Sequence, residues 1–336
     1  MSAVLKRHLG RVVAGHHLSE DEAGEAMGAI MDGDATPAQI GALLAAMAVR
    51  GEAEDEIVGF ARAMRGRGLP LRSTGAIDMC GTGGDGAGTF NISTVASLVV
   101  AGCGIPVAKH GNRAVSGNCG SADVLEHLGV RIDPPLETVQ RCLDEVGWAF
   151  LFAPAFHAST RHAAGPRREL GVRTVFNLLG PLTNPARPEA QVVGVPRPEL
   201  TELLARCLGR LGVRRAWVVH GAGLDELSPA ASTRVSECRD GTVRTFTIQA
   251  AETGCEPCAV EDLRGGDAAH NADIARRVLA GEGGARREAV VLNAAAALLV
   301  AGRARDLAEG ARRARESLDS GAAASVLDRV AGMTRS

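Results

Sequence analysis

The sequence predicts an α/β protein with a mainly parallel central sheet flanked by helices and a small all-helical N-terminal domain. Two observations carry this prediction. The first 70 of the 336 residues show helical patterns and helix caps, with no strand-like run before Ile77. From residue 76 onward, short apolar runs alternate with amphipathic ones, which is the pattern of parallel strands joined by helices.

The N-terminal segment, residues 1–70, is predicted to form the helical domain. Ser19 with Glu22, and Thr36 with Gln39, have the spacing of capping boxes, in which a side chain and a backbone N–H three residues apart bond reciprocally. Apolar residues then recur at i, i+3, i+4 and i+7 after the second box. We therefore expect several short helices here and no strand.

Residues 71–336 are predicted to form the large α/β domain. The candidate strands lie at 76–79, 105–108, 148–152, 190–195 and 216–220, and helical patterns lie near 91–102, 121–128, 136–146 and 198–211. Two further runs, 233–238 and 242–248, flank Asp240-Gly241, a dipeptide typical of hairpin turns. The alanine- and arginine-rich C-terminus is predicted to be helical, including 290–301 and 303–318.

The composition excludes several classes of protein. A net charge of -2 argues against a nucleic-acid partner held by bulk charge, and 3% aromatic residues argue against base-stacking surfaces. The N-terminus lacks the apolar core of a signal peptide, and no apolar run is long enough to span a bilayer. Eight scattered cysteines indicate reduced thiols, with Cys255 and Cys258 as an incidental loop pair. We expect a cytoplasmic protein that binds neither nucleic acid nor a membrane.

A glycine-rich loop after the first candidate strand is the clearest sign of function. Its glycines are Gly81, Gly83, Gly84, Gly86 and Gly88, followed by the polar residues Asn91, Ser93 and Thr94. Backbone N–H groups in such a loop can approach an anion, and the dipole of the following helix favours negative charge there. The loop fits neither G-x-x-x-x-G-K-[ST] nor G-x-G-x-x-G. It predicts a phosphate site of another kind.

Two further polar clusters follow candidate strands, and ligands of open α/β sheets bind beyond the carboxyl ends of strands. The second cluster joins Lys109 and Arg113 to the small polar residues at 116–121, a combination suited to a phosphate cradle. The third places Asp225 beside Glu226. Such a pair alone is more often a solvated turn, but next to two phosphate loops it predicts Mg²⁺, which binds through one or two carboxylates plus substrate phosphates.

Together the three clusters resemble the anthranilate phosphoribosyltransferase family, which joins anthranilate to phosphoribosyl pyrophosphate in tryptophan biosynthesis. Residues 173–185, Arg-Thr-Val-Phe-Asn-Leu-Leu-Gly-Pro-Leu-Thr-Asn-Pro, are nearly identical to a run of that family, and 219–228 is similar to another. The likeness extends from the N-terminal helices to the C-terminal ones. It implies a transferase that uses Mg²⁺, with two ions, and a homodimer formed through the helical domain, to which a segment near 167–185 is joined.

The resemblance also assigns roles to positions. It implies that the catalytic residues are Lys109, Arg113, Asp225 and Glu226. It implies that phosphoribosyl pyrophosphate is bound by Gly81, Gly84, Asp85, Thr89, Asn91, Ile92, Ser93, Thr94, Lys109, His110, Gly111, Asn112, Arg113, Ala114, Val115, Ser116, Gly117 and Ser121. Anthranilate would be met by Gly81, Asn112, Arg167 and His110, and Mg²⁺ would be held by Ser93, Asp225 and Glu226. A hydrogen-bonded core histidine is an equally good interpretation of His110.

The chain departs from the family pattern at several positions. Gly117 and Cys119 stand where serines are usual, Pro166 precedes Arg167, and the loop before Asp225 is one residue shorter. These departures leave open whether the acceptor is anthranilate or a modified anthranilate.

Two other functions fit the sequence less well. A pyrimidine nucleoside phosphorylase would have Lys-His-Ser where this chain has Lys109-His110-Gly111. A non-catalytic relative that binds nucleic acid is disfavoured by the retained loops and by the absence of a basic surplus.

Overall fold

The computed structural model describes residues 2–114 and 119–335 and divides the chain into two compact units. One unit comprises Met1–Pro70 and Ala153–Pro185, and the other comprises Leu71–Phe152 and Ala186–Ser336. Within the described ranges, every helix is too short or too polar to cross a bilayer.

The secondary-structure elements are numbered along the chain. The helices are α1 Ala3–Val13, α2 Glu20–Met31, α3 Pro37–Arg50, α4 Glu54–Arg67, α5 Ile92–Gly102, α6 Ser121–His127, α7 Leu136–Arg141, α8 Ala153–Phe156, α9 Arg161–Leu170, α10 Phe176–Leu179, α11 Leu200–Arg210, α12 Ala268–Leu279, α13 Ala285–Val300, α14 Leu307–Asp319 and α15 Ala322–Arg335. The strands are β1 Ile77–Gly81, β2 Val107–Gly111, β3 Trp148–Phe152, β4 Ala190–Gly194, β5 Arg215–Gly221, β6 Thr233–Arg239 and β7 Thr242–Ile248.

The first unit is built from helices. The predicted capping boxes of α2 and α3 are confirmed, since Ser19 and Thr36 each exchange hydrogen bonds with the residue three positions on. The 153–185 segment is tied to the N-terminal helices by backbone acceptors. Phe156 O accepts from the Leu69 N–H at 3.0 Å, and Leu182 O accepts from Arg65 Nε at 2.7 Å.

The second unit is organised by one seven-stranded sheet in the order β3-β2-β1-β4-β5-β6-β7. The first five strands of that order pair in parallel, and β6 and β7 are added antiparallel. The predicted α/β class with a mainly parallel sheet is confirmed. The chain runs outward from β1 through β2 to β3 and then returns to the other side of β1 with β4. Ligands of open α/β sheets bind at such a reversal, beyond the carboxyl ends of the strands.

Two helices of this unit are buried over most of their length. All positions of α5 from Thr94 to Ala101 are buried, and so are those of α13 from Ala289 to Leu298. α13 packs against α5 and also touches β4 and β5. The helix after the glycine loop, α5, is therefore stabilised by packing in the core of the unit.

Two strands, β1 and β2, run further toward their carboxyl ends than the sequence suggested. β1 includes Cys80 and Gly81, and β2 includes Lys109, His110 and Gly111, which the sequence placed in a loop. Polar and glycine residues at strand ends look like loop residues in the sequence. In the sheet their backbones continue the parallel ladder, as in the pairing of Gly111 with Phe152.

Candidate functional site

The ends of β1 and β4 leave room for a carboxylate. Gly81 and Gly194 are the last residues of these neighbouring strands and are directly paired. A Cβ atom on Gly81 would overlap the Asp225 carboxylate, and one on Gly194 would overlap the Asp225 backbone carbonyl. Glycine at both positions therefore lets the loop after β5 fold over the strand ends. Asp225 is placed at the reversal point of the sheet.

The glycine loop directs backbone N–H groups at the acidic pair. Gly83 and Gly84 have φ values of 65° and 82°, a conformation that other residues rarely adopt. The Gly83 N–H donates to Asp225 Oδ2 at 2.7 Å. In the first turn of α5, the Ser93 N–H donates to Glu226 Oε1 at 3.1 Å. Both donors thus face anionic oxygens, as expected of an anion-binding loop at a helix N-terminus.

The acidic pair is electrostatically strained. Asp225 and Glu226 are half-buried. Desolvation raises the pKa of the Asp225 carboxyl, and the nearby Asp85 carboxylate raises it further. Desolvation likewise raises the pKa of Glu226, reinforced by Asp225 and opposed by the charge of Lys109. A divalent cation bound to these two carboxylates would reduce the repulsion between their charges.

The donor set fits Mg²⁺ rather than a metal held wholly by protein. Among residues 2–114 and 119–335, no three His, Cys, Asp or Glu side chains are grouped so as to hold a metal ion. Mg²⁺ prefers oxygen ligands and usually keeps waters and substrate phosphates in its shell. Asp225, Glu226 and the Ser93 hydroxyl are oxygen donors, so their chemistry suits that ion.

Lys109 ties three elements together behind the site. Lys109 is a residue of β2 and is buried, with only 1% of its surface exposed. Nζ donates to Met79 O of β1 at 2.6 Å and lies 3.4 Å from Ser93 Oγ at the start of α5. His110, also buried, donates its backbone N–H to Asp78 Oδ1 at 3.2 Å. Lys109 thus places a positive charge beside Ser93.

The second loop, after β2, is held by a carboxylate of its own helix. Asp123 of α6 accepts the Ala114 N–H at 3.0 Å and the Gly120 N–H at 2.9 Å. Desolvation acts to raise the pKa of Asp123, but these two hydrogen bonds and Arg113 lower it overall. Ser121 Oγ donates to Asn112 O at 3.3 Å. The predicted residues Val115, Ser116 and Gly117 lie outside the described part of the chain.

Arg113 is engaged by carboxylates of the same helix. Its guanidinium donates to Asp123 at 2.9 Å and to both oxygens of Glu126, at 2.5 and 2.8 Å. It also lies 5.9 Å from the centre of the Phe152 ring. The predicted phosphate-binding charge is therefore paired with two carboxylates in this structure.

The two loops are joined through amide side chains. Asn91, at the N-cap of α5, donates Nδ2 to Cys119 O at 3.2 Å. Its Oδ1 accepts from the Cys119 thiol at 3.4 Å and from Asn271 Nδ2 of α12 at 3.1 Å. The start of α5 and the end of the second loop are thereby linked directly.

The remaining predicted residues of the glycine loop lie close by. Asp85 Oδ1 accepts the Ala87 N–H at 3.2 Å, and its other oxygen is 3.4 Å from the Asp225 backbone nitrogen. Thr89 forms an isolated bridge with Arg264. Ile92 and Thr94 are buried in the first turn of α5, and Gly84 and Gly111 contribute backbone only.

Arg167 belongs to the helical unit. It lies on α9, with its guanidinium 4.8 Å from the centre of the Phe176 ring. Desolvation lowers its pKa. Pro166, a departure noted in the sequence, is buried in the interior of the same helix.

Several residues that shape the site were missed in the sequence. They are Gly194 at the end of β4, Asp123 in the first turn of α6, Asn271 on α12 and Asn293 on α13. The glycines that end four of the parallel strands, Gly81, Gly111, Gly194 and Gly221, were a usable signal. The asparagines gave none, because nothing in the local sequence says what an isolated amide will bond.

Comparison with known proteins finds family models and relatives that match nearly the whole chain. A family model described as "Glycosyl transferase family, helical bundle domain" matches residues 6–68, and one described as "Glycosyl transferase family, a/b domain" matches residues 73–324. The chain is 55% identical to the anthranilate phosphoribosyltransferase of Moorella thermoacetica, over 99% of both chains.

Solved structures agree. The anthranilate phosphoribosyltransferase of Thermus thermophilus superposes with a TM-score of 0.93 at 46% identity, covering 98% of this chain and 99% of that one. The Saccharomyces cerevisiae enzyme in complex with phosphoribosyl pyrophosphate and Mg superposes with a TM-score of 0.90 at 26% identity, covering 100% and 99%.

Proposed function

Because this chain belongs to the anthranilate phosphoribosyltransferase family, we propose that its glycine loop, its second loop and its acidic pair carry out that family's reaction. The protein transfers the phosphoribosyl group of phosphoribosyl pyrophosphate to the amine of anthranilate, in tryptophan biosynthesis. The products are N-(5-phosphoribosyl)anthranilate and pyrophosphate. The bond between the anomeric carbon and the pyrophosphate oxygen breaks as the bond to nitrogen forms, and the nitrogen gives up one proton to water or to the pyrophosphate.

One observation carries the assignment of this reaction to residues. The Gly83 and Ser93 N–H groups and the two carboxylates meet at the ends of β1 and β4, with Lys109 behind them. Groups that attract phosphate and groups that attract a divalent cation therefore share one small volume. A pyrophosphate that binds together with a divalent cation needs both kinds of group close to one another.

The catalytic demand is electrostatic. Negative charge grows on the departing pyrophosphate, and positive charge grows on the sugar ring. Preorganised N–H donors aimed at a developing anion stabilise such a transition state strongly. We assign this role to the glycine loop from Gly81 to Thr89 and to the α5 residues Asn91, Ile92, Ser93 and Thr94. Lys109 and the second loop, from His110 to Gly117 with Ser121, hold the phosphates.

The acidic pair and Ser93 are assigned to magnesium. These residues would hold Mg²⁺, which would supply positive charge to offset that of the departing pyrophosphate, and we propose that two ions take part. Asp225 and Glu226 supply the negative charge that draws the cation in. The hydrogen bonds from Gly83 and Ser93 hold these carboxylates next to the glycine loop and the start of α5.

The acceptor needs positioning rather than activation. An aromatic amine is neutral at pH 7, so no strong general base is required, and orientation of the nitrogen toward the anomeric carbon can supply much of the rate. We assign this task to Gly81, His110, Asn112 and Arg167, whose charge suits a carboxylate. A modified anthranilate remains the second candidate acceptor, since Gly117, Cys119 and Pro166 depart from the family pattern.

We further propose a cytoplasmic homodimer formed through the helical domain. Val4, Val13 and Val49 of this unit are 39%, 69% and 91% exposed, so the helical unit carries apolar side chains that a partner subunit would cover. All eight cysteines are free thiols, as in a reducing compartment. Sedimentation of the wild-type protein beside Val49→Asp tests the dimer: the variant should shift toward monomer, and a wild-type monomer contradicts the proposal.

A fluorescence assay tests the function. The purified protein is mixed with phosphoribosyl pyrophosphate, Mg²⁺ and anthranilate, and loss of anthranilate fluorescence is followed. We expect consumption that stops when either phosphoribosyl pyrophosphate or Mg²⁺ is omitted. Parallel reactions with ring-substituted anthranilates rank the acceptors, and phosphate with thymidine or uridine serves as the phosphorylase control. Turnover of a nucleoside without turnover of anthranilate would overturn the proposal.

A further inference from the structure

A buried asparagine lies where an apolar residue would be expected. Asn293 is in the middle of α13, only 1% exposed, among the alanines, valines and leucines of that helix. Asparagine is a poorer helix former than alanine, and burying its amide costs free energy unless every polar atom is bonded. Its presence therefore calls for hydrogen bonds that offset the cost.

Those hydrogen bonds go to one backbone unit. Asn293 Oδ1 accepts the Leu227 N–H at 3.1 Å, and Nδ2 donates to Leu227 O at 2.8 Å. The second Nδ2 proton goes to Ala289 O, one turn earlier in α13, at 2.9 Å. The side-chain amide thus bonds both polar groups of Leu227, much as a neighbouring β-strand would.

Leu227 follows the acidic pair directly. Four consecutive residues of this loop are held, each by a different partner. The Asp225 and Glu226 carboxylates accept from Gly83 and Ser93, Leu227 bonds Asn293, and the Ser228 N–H donates to Thr233 Oγ1 at 3.2 Å. The first two contacts use the oxygens that a cation would take. The contact with Asn293 uses none of them.

We propose that Asn293 is a positioning residue for the acidic pair: it fixes the backbone beside Glu226, so that both carboxylates stay directed at the cation site whatever they bind. The proposal rests on the proposed function, because it assumes that the pair serves magnesium. Residues that orient metal ligands from behind typically change metal affinity or activity by about 10- to 100-fold when they are replaced.

Two variants separate positioning from general stability. Asn293→Leu keeps the volume and removes all three hydrogen bonds. Asn293→Ser keeps a hydroxyl that can bond Ala289 O within the helix but is too short to reach Leu227, so the helix stays satisfied while the loop is released. The matched control is Ser317→Ala on α14. It removes another buried hydrogen bond to backbone, from Oγ to Val99 O at 2.9 Å, away from the acidic pair.

Three quantities are measured for each protein: the midpoint of thermal unfolding, the Mg²⁺ concentration that gives half-maximal turnover, and the calorimetric affinity for phosphoribosyl pyrophosphate in the presence of Mg²⁺. We expect both Asn293 variants to raise the Mg²⁺ requirement and to weaken calorimetric binding by about 10-fold. Ser317→Ala should lower the unfolding midpoint without changing either Mg²⁺ quantity.

The outcomes distinguish the two levels of the argument. If the Asn293 variants lose thermal stability but keep the wild-type Mg²⁺ requirement and affinity, Asn293 is structural only and the inference is wrong. If the wild-type protein itself shows neither Mg²⁺-dependent turnover nor Mg²⁺-dependent binding, the proposed function has failed first. If Asn293→Leu does not fold, Asn293→Ser alone decides, since it preserves the bonding within α13.

Discussion

The glycine loop and the second loop have the same local plan but are held in different ways. Each leaves the carboxyl end of a strand and enters a helix, and each carries backbone N–H groups bound to a carboxylate. In the glycine loop the carboxylates come from Asp225 and Glu226, more than 130 residues away along the chain. In the second loop the carboxylate is Asp123, within nine residues of both donors.

That difference separates two tasks. The glycine loop shares its partners with the cation site, so its geometry depends on whether the carboxylates are ionised or metal-bound. The ends of the second loop, Ala114 and Gly120, share Asp123 as their acceptor, and Asn91 links Cys119 of this loop to the start of α5. We infer that the glycine loop responds to the cation, while the ends of the second loop are held mainly by Asp123. Four experiments test this contrast.

The largest effect is expected from Asp225→Asn combined with Glu226→Gln. The change keeps the shape of the pair but removes the charge, so kcat should fall by roughly 10²- to 10³-fold, as when a preorganised electrostatic group is lost. The matched control is Asp144→Asn with Glu145→Gln, an exposed adjacent pair in the same unit that should leave kcat unchanged. Near-normal turnover of the first variant with Mg²⁺ limiting would refute the metal assignment.

Asp123→Ala should have the next largest effect. Ala114 and Gly120 lose their common acceptor, and hydrogen bonds to a charged group contribute about 1.5–3 kcal/mol. We expect KM for phosphoribosyl pyrophosphate to rise by about 10-fold or more, with a smaller change in kcat and no change in the Mg²⁺ requirement. Glu126→Gln, which leaves Asp123 in place, is the control. A raised Mg²⁺ requirement in Asp123→Ala would mean that the loops are not independent.

The pKa values of the acidic pair are raised and that of Asp123 is lowered, so the two should affect the pH dependence of stability in opposite ways. Because the pKa values of Asp225 and Glu226 are raised in the folded, metal-free protein, the folded state binds more protons than the unfolded one above the ordinary carboxyl range of about 4. The free energy of unfolding of the wild type should therefore fall as the pH rises, and that of the Asn/Gln double variant should not show this fall. The contribution of Asp123, whose pKa is lowered, is present above that range and is lost only as the pH falls through its folded value.

Thermal unfolding across pH measures this directly. As the pH rises from 5 to 8 without Mg²⁺, the unfolding midpoint of the double variant should rise relative to that of the wild type by on the order of a few degrees. Added Mg²⁺ should reduce this difference. Parallel curves for the two proteins would contradict the pKa directions.

The smallest effect is expected from Cys119→Ser. The thiol donates to Asn91 Oδ1, and a hydroxyl can do the same, so kcat/KM should change by less than about threefold. Desolvation raises the pKa of this thiol, so wild-type protein should also react slowly with iodoacetamide at neutral pH. A large gain in activity for the serine variant would show that the departure from the family pattern weakens the loop.

Much of the fold follows from local signals. Trp148–Phe152 is an apolar run bounded by turn residues, and it forms β3 with the predicted ends. Asp240-Gly241 has φ values of 48° and 81°, the positive pair that a two-residue hairpin turn needs, and it joins β6 to β7 as predicted. These features depend on side chains within a few residues of one another, so the sequence displays them.

The sequence by itself determined the α/β class, the capped N-terminal helices and the three polar clusters, because glycine runs, capping boxes and apolar periodicity act over short stretches of chain. Only the tertiary structure decided which strands are neighbours. The pairing of Gly81 with Gly194 and the approach of Asn293 to Leu227 join residues 66 to 113 positions apart. Such contacts are fixed by packing of the whole sheet and its buried helices, and no local pattern records them.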